Sequence, residues 1–174
     1  MTVVISSILR VSWPGPRLTL GLGLWVAAGA VLAGSCSISS TGLAFGAYQP
    51  LNFAGKLTSA NVTSTARVEI FCTDIITGGT YTISLGPGNY SGADNGNFRY
   101  LSNGGTPYMA YNFYTDVNHA TIWGNIPGSL ITGSIPTGTS NPSHTVYGKV
   151  PAGQNTLKSG SYSDTLTMTV TYNP

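Results

Sequence analysis

The side chains that could do chemistry in this chain are few and scattered. The carboxylates are Glu69, Asp74, Asp94, Asp116 and Asp164, and the imidazoles are His119 and His144. A glycoside hydrolase needs two carboxyl groups facing each other across a groove. Glu69 instead shares a strand phase with Arg67, which reads as a solvated ion pair. Asp116 and Asp164 stand beside turns, where aspartate commonly caps backbone amides. His119 and His144 sit in Asn- and Ser-rich stretches and read as exposed loop residues. No H-E-x-x-H, G-x-S-x-G or glycine-rich phosphate loop occurs. A Ser-His-Asp triad is assembled in space rather than in sequence, and serines are too plentiful here to point to one. The expectation is a protein that is not an enzyme, with no catalytic residue, metal site or cofactor.

Cys36 and Cys72 are the two cysteines. Their compartment depends on the first 35 residues, whose composition differs from the rest. Arg10 and Arg17 precede an uncharged apolar run from Leu18 to Leu32, and the small residues Ala33, Gly34 and Ser35 follow. This layout predicts a secretory leader over residues 1–35, too short in its apolar part for a membrane span. Cleavage after Ala33 or Ser35 fits. Lipidation at Cys36 is disfavoured, because no Leu stands three residues before it. An even cysteine count in an exported chain predicts a disulfide. A two-ligand metal site is the alternative, and it lacks further cysteines or paired histidines.

With Arg10 and Arg17 gone, five basic residues face five acidic ones. The mature domain, residues 36–174, is then near neutral, with no basic patch for nucleic acid and no transmembrane segment. Charged residues make up 7% of the chain and aromatics 10%, with 23 glycines and ten prolines. Such a composition excludes a charged disordered chain and disfavours helix. It predicts an all-β sandwich with turn-rich connections.

The clearest element is the terminal stretch Gly160–Pro174, where Leu166, Met168, Val170 and Tyr172 alternate with threonines, giving one apolar and one polar strand face. Earlier strands are expected near Cys36 to Phe45, with a break around Ser39 to Gly42, at Thr65–Cys72, at Tyr81–Leu85, at Phe98–Ser102, at Tyr108–Tyr114 and at Thr145–Val150. Residues 124–142 read as a loop with one strand fragment near Leu130, and residues 89–96 as another loop. Tyrosines that alternate within strands are expected in the core. Exposed ones leave open a self-complete carbohydrate-binding sandwich as an alternative.

Taken in order, these blocks resemble the spore coat protein U domain, the subunit family of archaic (Csu-type) chaperone–usher fimbriae. The matching blocks are Cys36, F-G-A-Y-Q-P from Phe45, V-E-I-F-C-T-D from Val68, Y-T-I-S-L-G-P-G from Tyr81 and R-Y-L from Arg99. Y-N-F-Y-T-D from Tyr111, I-W-G from Ile122, V-Y-G-K-V-P-A-G-Q from Val146 and G-S-Y-S-D-T-L-T-M-T-V-T-Y from Gly160 complete them. The resemblance implies an incomplete immunoglobulin-like β-sandwich, completed by a donated strand, with a disulfide between Cys36 and Cys72. It implies a periplasmic chaperone, an outer-membrane usher and neighbouring pilus subunits as partners, and export through the periplasm to the cell surface. The groove for the donated strand is expected between Leu43 and Phe45 on one side and Leu166, Met168, Val170 and Tyr172 on the other. Family subunits that extend a fibre carry an alternating donor stretch before the first cysteine. Here about two residues would remain after cleavage, so the chain is expected to accept a strand and not to give one. Leu18 to Leu24 also alternates, but as a donor it would leave no export signal.

Overall fold

A computed structural model describes residues 1–11, 34–54, 57–90 and 99–174 of the protein. The apolar run Leu18–Leu32, Arg17, Asp94 and Phe98 lie outside the described residues, as does most of the loop expected at 89–96. Every regular element among the described residues is a strand, and no helix there is long and apolar enough to cross a membrane.

The terminal alternation forms β11 (Ser163–Asn173), in which Leu166, Met168, Val170 and Tyr172 are buried while Thr165 and Thr167 are exposed. β11 sits at the centre of the first sheet. On one side it pairs antiparallel with β5 (Gly79–Leu85), which in turn pairs with β8 (Ile131–Ile135). On its other side lies β1 (Thr2–Val11), parallel to β11, followed by the short β3 (Leu43–Ala44).

The second sheet runs β2 (Ser35–Ser40), β4 (Val62–Ile75), β10 (Ser143–Val150), β7 (Met109–Tyr114) and β6 (Arg99–Leu101). Another strand, β9 (Gly138–Ser140), pairs with the end of β4. Pro142 separates β9 from β10, since proline has no N–H to give to a ladder. The long β4 changes phase near its end. Ala66, Val68, Ile70 and Cys72 are buried in strict alternation, and the next buried residue is Ile75. The ladder shifts register between Cys72 and Ile75, where Asp74 takes a positive φ of 57°, as expected of a β-bulge.

The two sheets share one core. Val68, Ile70, Val146, Val150, Tyr111 and Phe113 from the second sheet meet Ile83, Leu85, Leu166, Met168 and Val170 from the first. Trp123, fully buried between them, packs edge-on against Phe113 and donates its indole N–H to the Ile83 carbonyl at 3.0 Å. This is the all-β sandwich that the composition predicts, with one difference of substance. The sheet position expected to stand open for a donated strand is filled by this chain's own β1.

The disulfide joins Cys36 at the start of β2 to Cys72 on β4, directly opposite in register, and the two cysteines are not a metal site. It closes a loop of 36 residues. Replacing both cysteines by serine is expected to lower the unfolding free energy by about 2–4 kcal/mol, measured as a loss of urea midpoint against the oxidised parent.

Candidate functional site

The site is the slot in the first sheet between β3 and β11. Its walls are backbone. The ten residues of β1 pair in sequence with residues 163 to 172, from Thr2 opposite Ser163 to Val11 opposite Tyr172. On the other wall Thr2 and Val3 oppose Ala44 and Leu43, and the Phe45 amide donates to the Met1 carbonyl at 3.1 Å. Val3, Ile5, Ser7, Leu9 and Val11 hold the register positions opposite Asp164, Leu166, Met168, Val170 and Tyr172. Directly paired residues share a sheet face, so this phase of β1 is the phase of β11's buried row. Past Met1 the slot opens into a cleft of about 500 Å³ bordered by Tyr48, Met109, Leu157 and Tyr162.

The floor of the slot is shaped by one glycine. Leu43 and Phe45, 1% and 5% exposed, lie across Gly148 of β10. A Cβ there would stand 2.6 Å from Leu43 Cδ1 and 2.9 Å from the Phe45 ring, closer than packed atoms tolerate. Phe45 then meets the Tyr111 ring edge-on.

Two buried polar groups hold the frame. Tyr111 donates its hydroxyl to Asp164 Oδ2 at 2.7 Å, while Asp164 Oδ1 accepts the amides of Asn89 at 2.9 Å and Thr165 at 2.8 Å. Burial, then the neighbouring carboxylate, pushes the Tyr111 phenol far above its ordinary value, so it stays a donor. Arg99, 1% exposed, donates to the carbonyls of Gly86, Leu85 and Trp123 and to Asn112 Oδ1. These bonds satisfy a buried cation that would otherwise be costly. At the other end of β11, the Tyr172 hydroxyl donates to the Thr77 carbonyl.

The residues expected to line the groove are all buried: Leu43 on β3 and Phe45 just after it, and Leu166, Met168, Val170 and Tyr172 on β11. Arg67 and Glu69 form an exposed ion pair at 2.7 Å. Asp116 caps three amides, those of Asn118, Ala120 and Thr121. These amides, Thr121 first, hold its carboxyl below the usual range. Asp164 caps amides as expected, those of Asn89 and Thr165, and beyond that it is buried within β11 and bonded across the sandwich to Tyr111.

The histidines also depart from expectation. His119 lies between the rings of Tyr114 and Tyr147. His144 belongs to β10, half-buried, with Nε2 2.6 Å from the Tyr81 hydroxyl on the opposite sheet. It shares the inward phase of Val146, Gly148 and Val150, and that alternation was the available signal. Residues 124–142 hold two strands, β8 and β9, where one fragment was expected. Tyr81, Tyr111, Tyr162 and Tyr172 are core residues, whereas Tyr90 and Tyr108 are over 40% exposed and stacked on each other.

The residues missed altogether are Thr2–Val11. Their alternating row of Val3, Ile5, Leu9 and Val11 was legible, but Arg10 and the apolar run beyond it made the stretch read as leader. Among the described residues no three His, Cys, Asp or Glu stand together as a metal site. The arrangement is suited to holding an extended segment by backbone pairing, with alternate side chains giving selectivity.

The model of the Spore Coat Protein U domain matches residues 24–169. No curated protein matches the chain. Among solved structures, one described as a chaperone–tip adhesin complex vital for CFA/I fimbriae biogenesis is similar at 15% identity and a TM-score of 0.40. The similarity covers 74% of this chain and 39% of that one.

Burial holds the His144 imidazole below its ordinary value of 6.5. The unfolded chain therefore binds this proton first as the pH falls. The contribution of neutral His144 is complete above about pH 6.5 and is lost as pH drops below that value toward the folded pKa. His144→Gln, which keeps a polar partner for Tyr81 without titrating, is expected to flatten the decline in urea midpoint between neutral and mildly acidic buffer.

Proposed function

We propose, from the premise that the chain belongs to the Spore Coat Protein U domain family, that it is an exported, non-enzymatic structural or adhesive subunit of a surface fimbria or coat. Its assembly is by strand addition: another molecule supplies an extended segment to the slot between β3 and β11. The partners are a periplasmic chaperone, an outer-membrane usher and neighbouring subunits. Residues 1–35 serve as the export leader, and the mature domain, 36–174, travels through the periplasm to the cell surface.

The observation that carries this is the ladder between β1 and β11. A slot that aligns ten consecutive residues along β11 and presents the buried row Leu166, Met168 and Val170 to them is built to receive an extended apolar segment. Burying each large apolar side chain of such a segment contributes about 1.5–3 kcal/mol, before the cost of ordering it. The test is expression of the chain from Ser35 onward in an oxidising compartment. Alone it is expected to be degraded or aggregated, and with a chaperone of the family it is expected to be recovered as a one-to-one complex. A stable, soluble, strand-free monomer would contradict the proposal.

A second reading has one observation in its favour. Tyr90 and Tyr108 stack with centroids 5.6 Å apart, and Tyr100 lies tilted against Tyr108 at 6.4 Å. Exposed aromatic faces of this kind bind sugar rings. If the domain is a carbohydrate binder, glycan-array signals will fall at least about tenfold in Tyr108→Ala, the loss of about 1.4 kcal/mol. Unchanged signals, or none in the parent, would remove this reading.

A further inference from the structure

We infer that Leu51, Phe53 and Leu57, beside the mouth of the slot, form a docking surface for the molecule that supplies the strand, gripping apolar residues that flank the donated strand outside the slot. This rests on the proposed use of the slot as a strand acceptor.

The first support is position. β3 ends at Ala44 and β11 begins at Ser163, and the two stand at the same end of the slot, both in register with Thr2. The cleft at this end is bordered by residues 46–51, which continue from β3, and by residues 157–162, which lead into β11. The two walls of the slot therefore run on into the two sides of the cleft. An extended segment lying between β3 and β11 leaves the slot here with one of its ends, whichever way it runs. Leu51 lies on the border of the cleft, and Phe53 and Leu57 follow it.

The second is exposed apolar surface. Among the described residues nine large hydrophobic side chains are exposed, and three of them, Leu51 at 49%, Phe53 at 61% and Leu57 at 42%, fall between positions 51 and 57. Single exposed hydrophobics are ordinary on a protein surface, whereas a group of them marks a contact. The sequence from Gly46 to Asn61 carries one charge, Lys56, so apolar contact is what a partner finds here.

The third is bracing. Phe53 and Leu57 form an antiparallel bridge, each amide donating to the other's carbonyl at 2.9 and 3.0 Å. The Ser59 amide donates to Asn52 Oδ1 at 2.6 Å. Both flanks are tied to the turn after β10. The Tyr48 hydroxyl donates to the Pro151 carbonyl and accepts the Gln154 amide. Ser59 Oγ and Asn61 Oδ1 accept the amides of Gly153 and Ala152. Side chains held on so fixed a backbone lose little freedom when a partner covers them.

The test uses the full chain, expressed with its leader beside a periplasmic chaperone of the family. A photo-reactive benzoylphenylalanine replaces Phe53 or, separately, the exposed Ala44 on the wall of the slot. Illumination is expected to join the chaperone at both positions. In chains without the label, Phe53→Ser combined with Leu57→Ser is expected to speed dissociation of the purified complex at least about tenfold. An adduct at position 44 without one at 53, or an unchanged dissociation rate, would overturn the docking surface and leave the slot an acceptor. No adduct at position 44 would overturn the acceptor reading itself, and this inference with it.

Discussion

The structure depends on hydrogen bonding along the one edge of β11 that faces β3. β5 satisfies the opposite edge over residues 168–173. Nothing else among the described residues pairs with the near edge over residues 163–172 except β1. Buried backbone groups left without partners cost about 1–3 kcal/mol each. An empty slot would also uncover Leu166, Met168 and Val170, which are now fully or almost fully buried. Among the described residues β3 has its only ladder with β1, and the Ser64 hydroxyl donates to the Ala44 carbonyl at 2.7 Å. Whatever fills this position therefore completes the sheet, covers the core and fixes the first wall at once.

The rest of the molecule keeps the slot in shape whether or not its occupant changes. Gly148 lets Leu43 and Phe45 lie flat against β10. Arg99 ties the end of β5 to Trp123 and β7, and Asp164 ties the start of β11 to Tyr111. These polar groups are satisfied inside the sandwich, so they rigidify it. Among the described residues, Glu69, Asp116, Asp164 and His144 each have a specific partner.

Much of this was legible in the residues. The strict alternation of Leu166 to Tyr172 and of Ala66 to Cys72 identifies β11 and β4, because a half-buried strand has no other way to write itself. What stayed hidden has separate causes. The bulge at Asp74 needs a positive φ in a non-glycine residue, which no composition signal announces. β8, reading I-T-G-S-I, lies at the outer edge of its sheet, so its exposed positions are small and polar and it resembles loop. The Tyr111–Asp164 and Tyr81–His144 contacts join residues 53 and 63 positions apart and depend on the stacking of two sheets. β1 was obscured by competition between two patterns. Its alternation is real, but a basic flank followed by fifteen apolar residues is the stronger signal and claims the whole N-terminal stretch.

The location of Cys36 has a consequence of its own. It is the second residue of β2, an edge strand, and its bond runs to the residue directly across the ladder. Chain ends ordinarily fray, because the last few pairs of a terminal strand open without disturbing the core. A chain cut just ahead of Cys36 would have no such soft end. Its newly exposed tip would already be riveted to β4, unable to peel away, slip in register or wander into a neighbouring molecule, and all of the looseness created by the cut would fall on the other sheet.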